Sequence, residues 1–314
     1  MKIAITCIQL IRDIEEYRQA FETAGIELVI PRVSGQHLEG EDLILALKDC
    51  SGVIAGDDQF TREVLSNCTK LEVISKWGIG IDGIDRDAAS DLGITVTNTP
   101  GEFNEEVADV AMGYCIMLLR QLHIINASVK KGEWAKPAGS SLAGKSIGII
   151  GLGGIGKALA RRSLVAGMNV IGTDPDKERQ DEARTLGVEI LEFNELLSKC
   201  DVISINCPLT EETYHMFSES SFKLMNSGTW IINVGRGGVI DTNALVNALE
   251  NGTVAGAALD VLEEEPIPVS SPLMKFPNVI FGSHNASNTI EASDRVHRRA
   301  IQNLSNELKV EIQL

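Results

Sequence analysis

The sequence predicts an α/β protein of two doubly wound parallel-sheet domains, one flavodoxin-like and one a Rossmann dinucleotide-binding domain. Three observations predict it. Short apolar runs alternate with helical patterns from residue 2 to 96, as parallel strands and their crossover helices do. A strand–glycine–helix–strand unit fills residues 145–174 and carries GLGGIG. A last helical stretch, 289–308, begins after the second α/β unit is already complete, so it is expected to return to the first domain. The expected domains are therefore 1–98 plus 288–314, and 99–287.

In the first domain the spacing predicts strands at 3–6, 27–30, 52–55, 72–75 and 95–96. Between them lie helices at 13–24, 40–48, 61–67 and 85–91. The last two open on Thr61 and Asp85, whose side chains suit an N-cap. Asn98-Thr99-Pro100-Gly101 is turn chemistry and a hinge. One long helix is expected from 105 to about 130, then a loop over 132–144. The second unit should contribute strands near 146–150, 169–173, 202–206, 229–233, 256–259 and 279–281, with a helix at 157–166 after the glycines.

Each part of the glycine unit has a physical task. Gly151 permits a tight turn, Gly153 lets a pyrophosphate approach the backbone, and Gly156 lets helix pack on strand. Gly154 and Ile155 lie between them at the helix start, where unpaired N–H groups and a positive dipole end favour phosphate. Asp174, at the end of the second strand, can accept the hydrogen bonds of an adenosine ribose and would repel a 2′-phosphate. Pro175 and Asp176 offer no cation, and Lys177 is the only nearby charge expected to help one. The cofactor expected is NAD, not NADP.

Over 314 residues the apolar content is 44%, the charged content 23% and the net charge −16. That balance argues against a nucleic-acid binder and against docking on an anionic membrane. The six cysteines form no CxxC pair, so neither a disulfide framework nor a zinc or other metal site is expected. A start that runs straight into a strand pattern, with reduced thiols, leads to a cytoplasmic expectation.

Three clusters sit at strand ends of the second domain, where open α/β sheets bind ligands. The first, 233–238, places Arg236 in a glycine-rich turn, and a guanidinium fork suits a carboxylate. The second, 259–266, holds Asp260 and the run Glu263-Glu264-Glu265. The third, 282–286, holds His284. Singly, an acidic run or a lone histidine is usually structural. Together beside a nicotinamide they match what a hydroxyacid dehydrogenase needs.

These motifs resemble those of the D-isomer-specific 2-hydroxyacid dehydrogenases: KWGIGIDGID at 76–85, NTPG at 98–101, EEVADVA at 105–111, GLGGIG, CPLTEET at 207–213, NVGRGGVID at 233–241, ALDVLEEEP at 258–266 and the His284 segment. The resemblance covers nearly the whole chain. It implies that Arg236 binds the substrate's carboxylate and carbonyl, that His284 is the acid/base, and that Glu265 is its partner, with Glu263 and Glu264 as alternatives. It implies that Asp260 holds the nicotinamide carboxamide, and that Cys207, Pro208, Thr213 and Val234 join the cofactor site. It further implies that the Gly78-Ile79-Gly80 backbone grips the substrate carboxylate, with Lys76 beside it, and that the nucleotide domain forms a homodimer.

Departures from the family pattern fall at Ser283, Asn285 and Ala286 around the histidine, and at Asn206, where many members have His. The first domain's loops carry Asp57, Asp58, Trp77 and Phe103, which suit a short uncharged substrate such as glyoxylate or hydroxypyruvate. Lys76 could instead supply a cation, or pair with a neighbouring acid. The alternatives are a D-3-phosphoglycerate dehydrogenase lacking the regulatory domain and, in another class, a dinucleotide-sensing corepressor-like protein.

Overall fold

The computed structural model describes residues 1–33 and 35–314. The chain opens β1 (Lys2–Ile5), α1 (Ile8–Asp13), α2 (Glu15–Thr23), β2 (Glu27–Val29), α3 (Gly40–Leu47), β3 (Gly52–Ala55), α4 (Arg62–Asn67), β4 (Val73–Lys76), α5 (Arg86–Asp91) and β5 (Thr95–Thr97). It continues with α6 (Asn104–Leu119), α7 (Leu122–Lys130), β6 (Ser146–Ile150), α8 (Gly154–Val165), β7 (Asn169–Thr173), α9 (Lys177–Thr185), β8 (Glu189–Ile190) and α10 (Phe193–Leu197). Then come β9 (Val202–Ile205), α11 (Glu219–Phe222), β10 (Thr229–Asn233), α12 (Thr242–Glu250), β11 (Val254–Leu259), β12 (Val279–Phe281) and α13 (Ile290–Leu308).

Two compact units result, Met1–Phe103 with Asn288–Leu314, and Asn104–Ser287. The first leaves its strand system at Phe103, not at Asn98, because Thr99 is tied back to Gly78. The Thr99 amide donates to the Gly78 carbonyl at 3.0 Å, and the Gly78 amide donates to Thr99 Oγ1 at 3.0 Å.

The first unit's sheet runs β2-β1-β3-β4-β5, all parallel. That is the flavodoxin order, with its switch point between β1 and β3. Thr61 and Asp85 cap α4 and α5 through their side chains. The helix expected over 13–24 starts earlier and is broken at Ile14 into α1 and α2. Helix α13 packs on this sheet through Val296, Ala300, Ile301 and Leu304, all fully buried. A Cβ on Gly52 of β3 would lie 2.8 Å from Leu304 Cδ1, so the helix sits directly on the strand.

The second unit's sheet runs β12-β11-β10-β9-β6-β7-β8, again parallel. Starting at β6, this is the Rossmann order extended by one strand, and the switch point lies between β6 and β9. Strand β8 has only two residues, too short to leave an apolar run in the sequence.

The single helix expected over 105–130 is two, bent by 67°. Gln121 takes the left-handed conformation at φ +53°. The segment beyond α7 supplies the reason. The Ser140 amide donates to the Leu119 carbonyl at 2.8 Å, and Gln121 Nε2 donates to the Ala138 carbonyl at 3.0 Å. The end of α6 is thereby capped by a distant strand of chain, a signal no local pattern carries. Among the described residues no single helix is long and apolar enough to cross a membrane.

Candidate active site

The glycine turn after β6 is built as its composition demands. Gly151 has φ +91°, and a Cβ there would lie about 3 Å from the backbone of Asn206 and Cys207. A Cβ on Gly156 would run into the Gly151 carbonyl, and one on Gly154 into the Asn104 side chain. A Cβ on Gly153 would meet nothing within 4 Å, so this side of the turn is open. Helix α8 begins at Gly154, three residues before the sequence expectation, because Gly154-Ile155-Gly156 form its first turn. Gly153 is its N-cap and gives no side-chain cap, which leaves the first amides for an anion.

Asp174 is 6% exposed. Its Oδ2 accepts from the Leu152 amide at 2.8 Å, and its Oδ1 from the Asp176 amide at 2.9 Å. The carboxylate is thus fixed against the glycine turn and keeps lone pairs for further donors. Lys177 is not the only cation at hand. Arg179, in the first turn of α9, places Nη1 3.8 Å from Asp174 Oδ2 and Nε 3.5 Å from Asp176 Oδ2. Asp176 is an N-cap, so the residue three positions on turns back toward it; reading Asp176 as a cap would have found Arg179.

The loop after β9 carries the next residues. Cys207 packs beneath Gly151, and burial pushes its thiol up to about 12. The hydroxyl of Thr213 donates to the Pro208 carbonyl at 2.7 Å and accepts from the Thr210 amide at 2.8 Å. Thr213 therefore closes the loop on Pro208. Asn206 donates through Nδ2 to Ser204. Its Oδ1 is buried and has no hydrogen-bond partner among the described residues.

Arg236 follows β10, and its turn is framed by Asn233, a fully buried residue to which the sequence reading gave no role. Asn233 Oδ1 accepts from the Gly235 amide at 3.0 Å, and Nδ2 donates to the Arg236 carbonyl at 2.9 Å. The Val234 amide donates to Ile205 of β9 at 3.2 Å. A Cβ on Gly237 would penetrate the Leu262 backbone, so this turn is pressed against the loop after β11.

On that loop Asp260 is 3% exposed. Its Oδ2 accepts from the Ala286 amide at 3.0 Å and its Oδ1 from the Asn285 amide at 3.4 Å, with Tyr114 Oη 3.3 Å away. Its carbonyl accepts from the His284 amide at 2.7 Å. Burial, then the Asp260 charge, holds the Tyr114 hydroxyl above its ordinary pKa. Asp260 thus organises the segment carrying His284, and Tyr114 on α6 is a contributor that sequence reasoning missed.

His284 itself sits at φ +54°, uncommon outside glycine. Its Nδ1 lies 2.8 Å from Glu265 Oε2, and Glu265 Oε1 accepts from the Leu262 amide at 2.8 Å. Of the three neighbouring glutamates, Glu265 alone meets this histidine. Glu263 pairs with His215 at 2.6 Å and accepts from the Thr242 amide, while Glu264 is exposed.

In the first unit the Gly78–Gly80 turn follows β4. Gly78 has φ +129° and its amide is held by Thr99, which leaves Ile79 and Gly80 as that turn's donors to a ligand. Lys76 is turned inward, with Nζ 3.0 Å from Asp57 Oδ1 and 3.0 Å from the Trp77 carbonyl. Its pairing role holds, not the free cation. Three expected wall residues, Asp58, Trp77 and Phe103, are buried. Asp58 is buried, accepting from Thr6, Leu38 and Gly56, and Trp77 is buried against α13. Their position on loops suggested exposure; Asp58 instead satisfies buried donors, and Trp77 packs on a helix.

A profile of the D-isomer specific 2-hydroxyacid dehydrogenase NAD binding domain matches residues 112–286. The chain is 38% identical to a glyoxylate reductase of Thermofilum pendens over 87% of its own length and 82% of that protein. It is 39% identical to the D-3-phosphoglycerate dehydrogenase of Methanocaldococcus jannaschii over 81% of its length, but spans only 49% of that longer protein. A crystal structure of D-lactate dehydrogenase from Aquifex aeolicus, complexed with NAD and lactic acid, superposes with a TM-score of 0.87 at 27% identity. It covers 98% of this chain and 96% of that one.

Proposed function

Since the chain belongs to the D-isomer-specific 2-hydroxyacid dehydrogenases, an NAD-dependent oxidoreductase family, we propose that it interconverts a small D-2-hydroxy acid with its 2-oxo acid, glyoxylate or hydroxypyruvate foremost. The observation that carries this reading is the His284–Glu265 pair, on loops adjoining the Arg236 turn at the carboxyl ends of β10, β11 and β12.

NAD fits the residues present. The open side of Gly153, the uncapped amides of α8 and the fixed Asp174 carboxylate would hold pyrophosphate and ribose. When bound, NAD supplies or accepts the hydride at C2. The protein's own groups handle the charge and the proton. During reduction the carbonyl oxygen gains negative charge, and the Arg236 guanidinium stabilises it. His284 then delivers a proton to that oxygen. Glu265 accepts from Nδ1, so Nε2 is the atom that gives and takes the proton. A carboxylate at this distance favours the imidazolium form needed for reduction. The Ile79 and Gly80 amides would receive the substrate carboxylate.

The case for an unphosphorylated substrate now rests on Lys76. Its ammonium is committed to Asp57 and the Trp77 carbonyl, so no spare cation is offered there to a phosphate dianion. Steady-state NADH oxidation with glyoxylate, hydroxypyruvate and phosphohydroxypyruvate tests the reading. A higher kcat/KM for the phosphorylated acid would make the protein a phosphoglycerate dehydrogenase. No turnover with any 2-oxo acid would favour the dinucleotide-sensing role.

A homodimer through the nucleotide domain belongs to the same proposal. The resemblance supports it, and so do the exposed Leu122, Val129 and Trp134 along α7 and the segment after it. Sedimentation of the wild type and of Trp134→Glu tests it: the variant should shift toward monomer.

A further inference from the structure

We infer that His297 is a positioning residue for the substrate turn: through the Trp77 indole it fixes the Gly78–Gly80 backbone, and only its neutral form can do so. The inference rests on reading that turn as the seat of the substrate carboxylate.

Trp77 immediately precedes Gly78. Its Nε1 lies 2.8 Å from His297 Nδ1 on α13, with the indole 5% and the histidine 1% exposed. An indole N–H is a donor only, so Nδ1 must be the acceptor and the ring's proton resides on Nε2. That proton points at Asp13 Oδ2, 3.2 Å away at the end of α1. The tautomer is therefore set from both sides. The other ties on the same turn are Thr99, which brackets Gly78, Asn98 Nδ2, which donates to the Ile79 carbonyl at 2.7 Å, and the Asp57-paired Lys76, whose Nζ donates to the Trp77 carbonyl at 3.0 Å.

A second proton on the ring would sit on Nδ1, facing the indole N–H. The bond to Trp77 would then be replaced by two opposed donors, and the turn would lose its link to α13. Among the described residues, charged and titratable groups approach His297 from three helices. From α1 come Asp13 and Arg12, which chelate one another at 2.9 Å. From α2 come Tyr17, edge-on to the imidazole, and Glu16 at the rim. From α13 itself come Asp294 and Arg298, paired at 3.0 Å, with Asp294 also accepting from Tyr17. Asp13 and Asp294 thus already have cationic partners, which weakens their pull on an imidazolium. Burial is the largest influence and holds His297 below the ordinary histidine value. A cleft of about 360 Å³ lined by Asp13, Tyr17, Thr289, Asp294 and His297 lets protons reach the ring.

The test follows KM and indole emission against pH in the wild type, His297→Asn, His297→Leu and Trp77→Phe. In the wild type, KM for glyoxylate should rise about fivefold as pH falls from about 7.5 to about 5, the scale of one lost hydrogen bond, while Kd for NADH lacks that inflection. His297→Asn keeps a side-chain acceptor that cannot titrate, so its KM should lose the acid limb. His297→Leu and Trp77→Phe should show the raised KM at every pH, and two variants guard against one failing to fold. Emission should show an acid quenching step in the wild type that disappears in His297→Asn and Trp77→Phe. An unchanged acid limb in His297→Asn, or a KM within twofold of wild type in both other variants, would overturn the inference. The emission step does not need turnover. Its loss in His297→Asn with an inactive wild type would condemn the substrate reading and keep the Trp77–His297 switch; its persistence would condemn the switch.

Discussion

Glu265 touches His284 with one carboxylate oxygen, at 2.8 Å from Nδ1, and anchors to the Leu262 amide with the other, also at 2.8 Å. The second contact fixes where the first can be made. The carboxylate cannot follow the imidazole if the ring swings, so the pair defines a single ring orientation.

Replacing His284 by Ala should lower kcat/KM for reduction by about 10²–10⁴-fold and leave the Kd for NADH within twofold. Glu265→Gln keeps a hydrogen-bond acceptor and removes the charge. The imidazolium then loses its counter-charge, and the pH above which reduction fails should move down. Superimposable pH–rate profiles for the variant and wild type would show that the charge does nothing. Glu263 could not take its place, because its carboxylate is held by His215 and Thr242.

Tyr114→Phe should report on Asp260. The hydroxyl is 3.3 Å from Asp260 Oδ1, a long contact, so its loss should cost about 1 kcal/mol at most. Since Asp260 carries the amides of Asn285 and Ala286, the loss should appear in kcat and not in thermal stability. A kcat reduced about threefold with Tm within about 2 °C is expected. A lower Tm with unaltered kcat would make Tyr114 a packing residue only.

How far the sequence reached depends on the range of the signal. Strand periodicity, the N-caps Thr61 and Asp85 and the glycine turn are local patterns, and each led to the right element. The break between α6 and α7 was invisible because its cause, Ser140 and Ala138 reaching back to the helix end, lies many residues away. The same distance hid the first domain's loop chemistry. Asp58 and Trp77 sit in loop-like sequence, yet one satisfies buried amides and the other binds a histidine on the last helix. Residue types at strand ends pointed to Arg236, an acidic run and His284, and the family resemblance singled out Glu265 within that run. The framing residues Asn233 and Tyr114 left no such mark, since nothing in an asparagine or a helical tyrosine announces what it will hold.

Asp174→Ala should raise the Kd for NADH about tenfold, the scale of lost ribose hydrogen bonds. It should also narrow the preference over NADPH, because repulsion of a 2′-phosphate goes and Arg179 loses one of its two carboxylate partners. The double variant Asp174→Ala/Arg179→Ala separates the effects. NADPH binding should weaken again in it, while NADH binding stays at the single-variant level. Fluorescence titration with both reduced cofactors measures this, and equal NADPH affinity in the two variants would remove Arg179 from the argument.

Stability of the first unit should fall in two steps on acidification, and the signs can be worked out from Asp13 and His297. The Arg12 guanidinium, opposed by partial burial, brings the Asp13 carboxyl down to about 2. A carboxylate held below its unfolded value stabilises the fold above that value, near 3.9, and the contribution is lost as pH falls toward 2. The Asp13 side chain is 27% exposed and its partner Arg12 is 55% exposed, so solvent screens the pair and this lower step should be small. His297 is held below its ordinary value by burial, which the neighbouring Asp13 only partly offsets. Below about pH 6.5 the unfolded chain takes up a proton that the folded unit resists, so stability declines from there down to the folded value and then levels. Histidine and carboxylate thus act in separate windows. Urea unfolding followed by indole emission at a series of pH values should show both, with His297→Asn abolishing the upper step and Asp13→Asn reducing the lower, to which Asp49 and Asp294 also contribute. Asp13→Asn should also deepen the upper step, since the group that favours the imidazolium has been neutralised and the folded pKa drops further. An upper step that instead shrank in Asp13→Asn would mean that Asp13, rather than burial, governs the His297 proton.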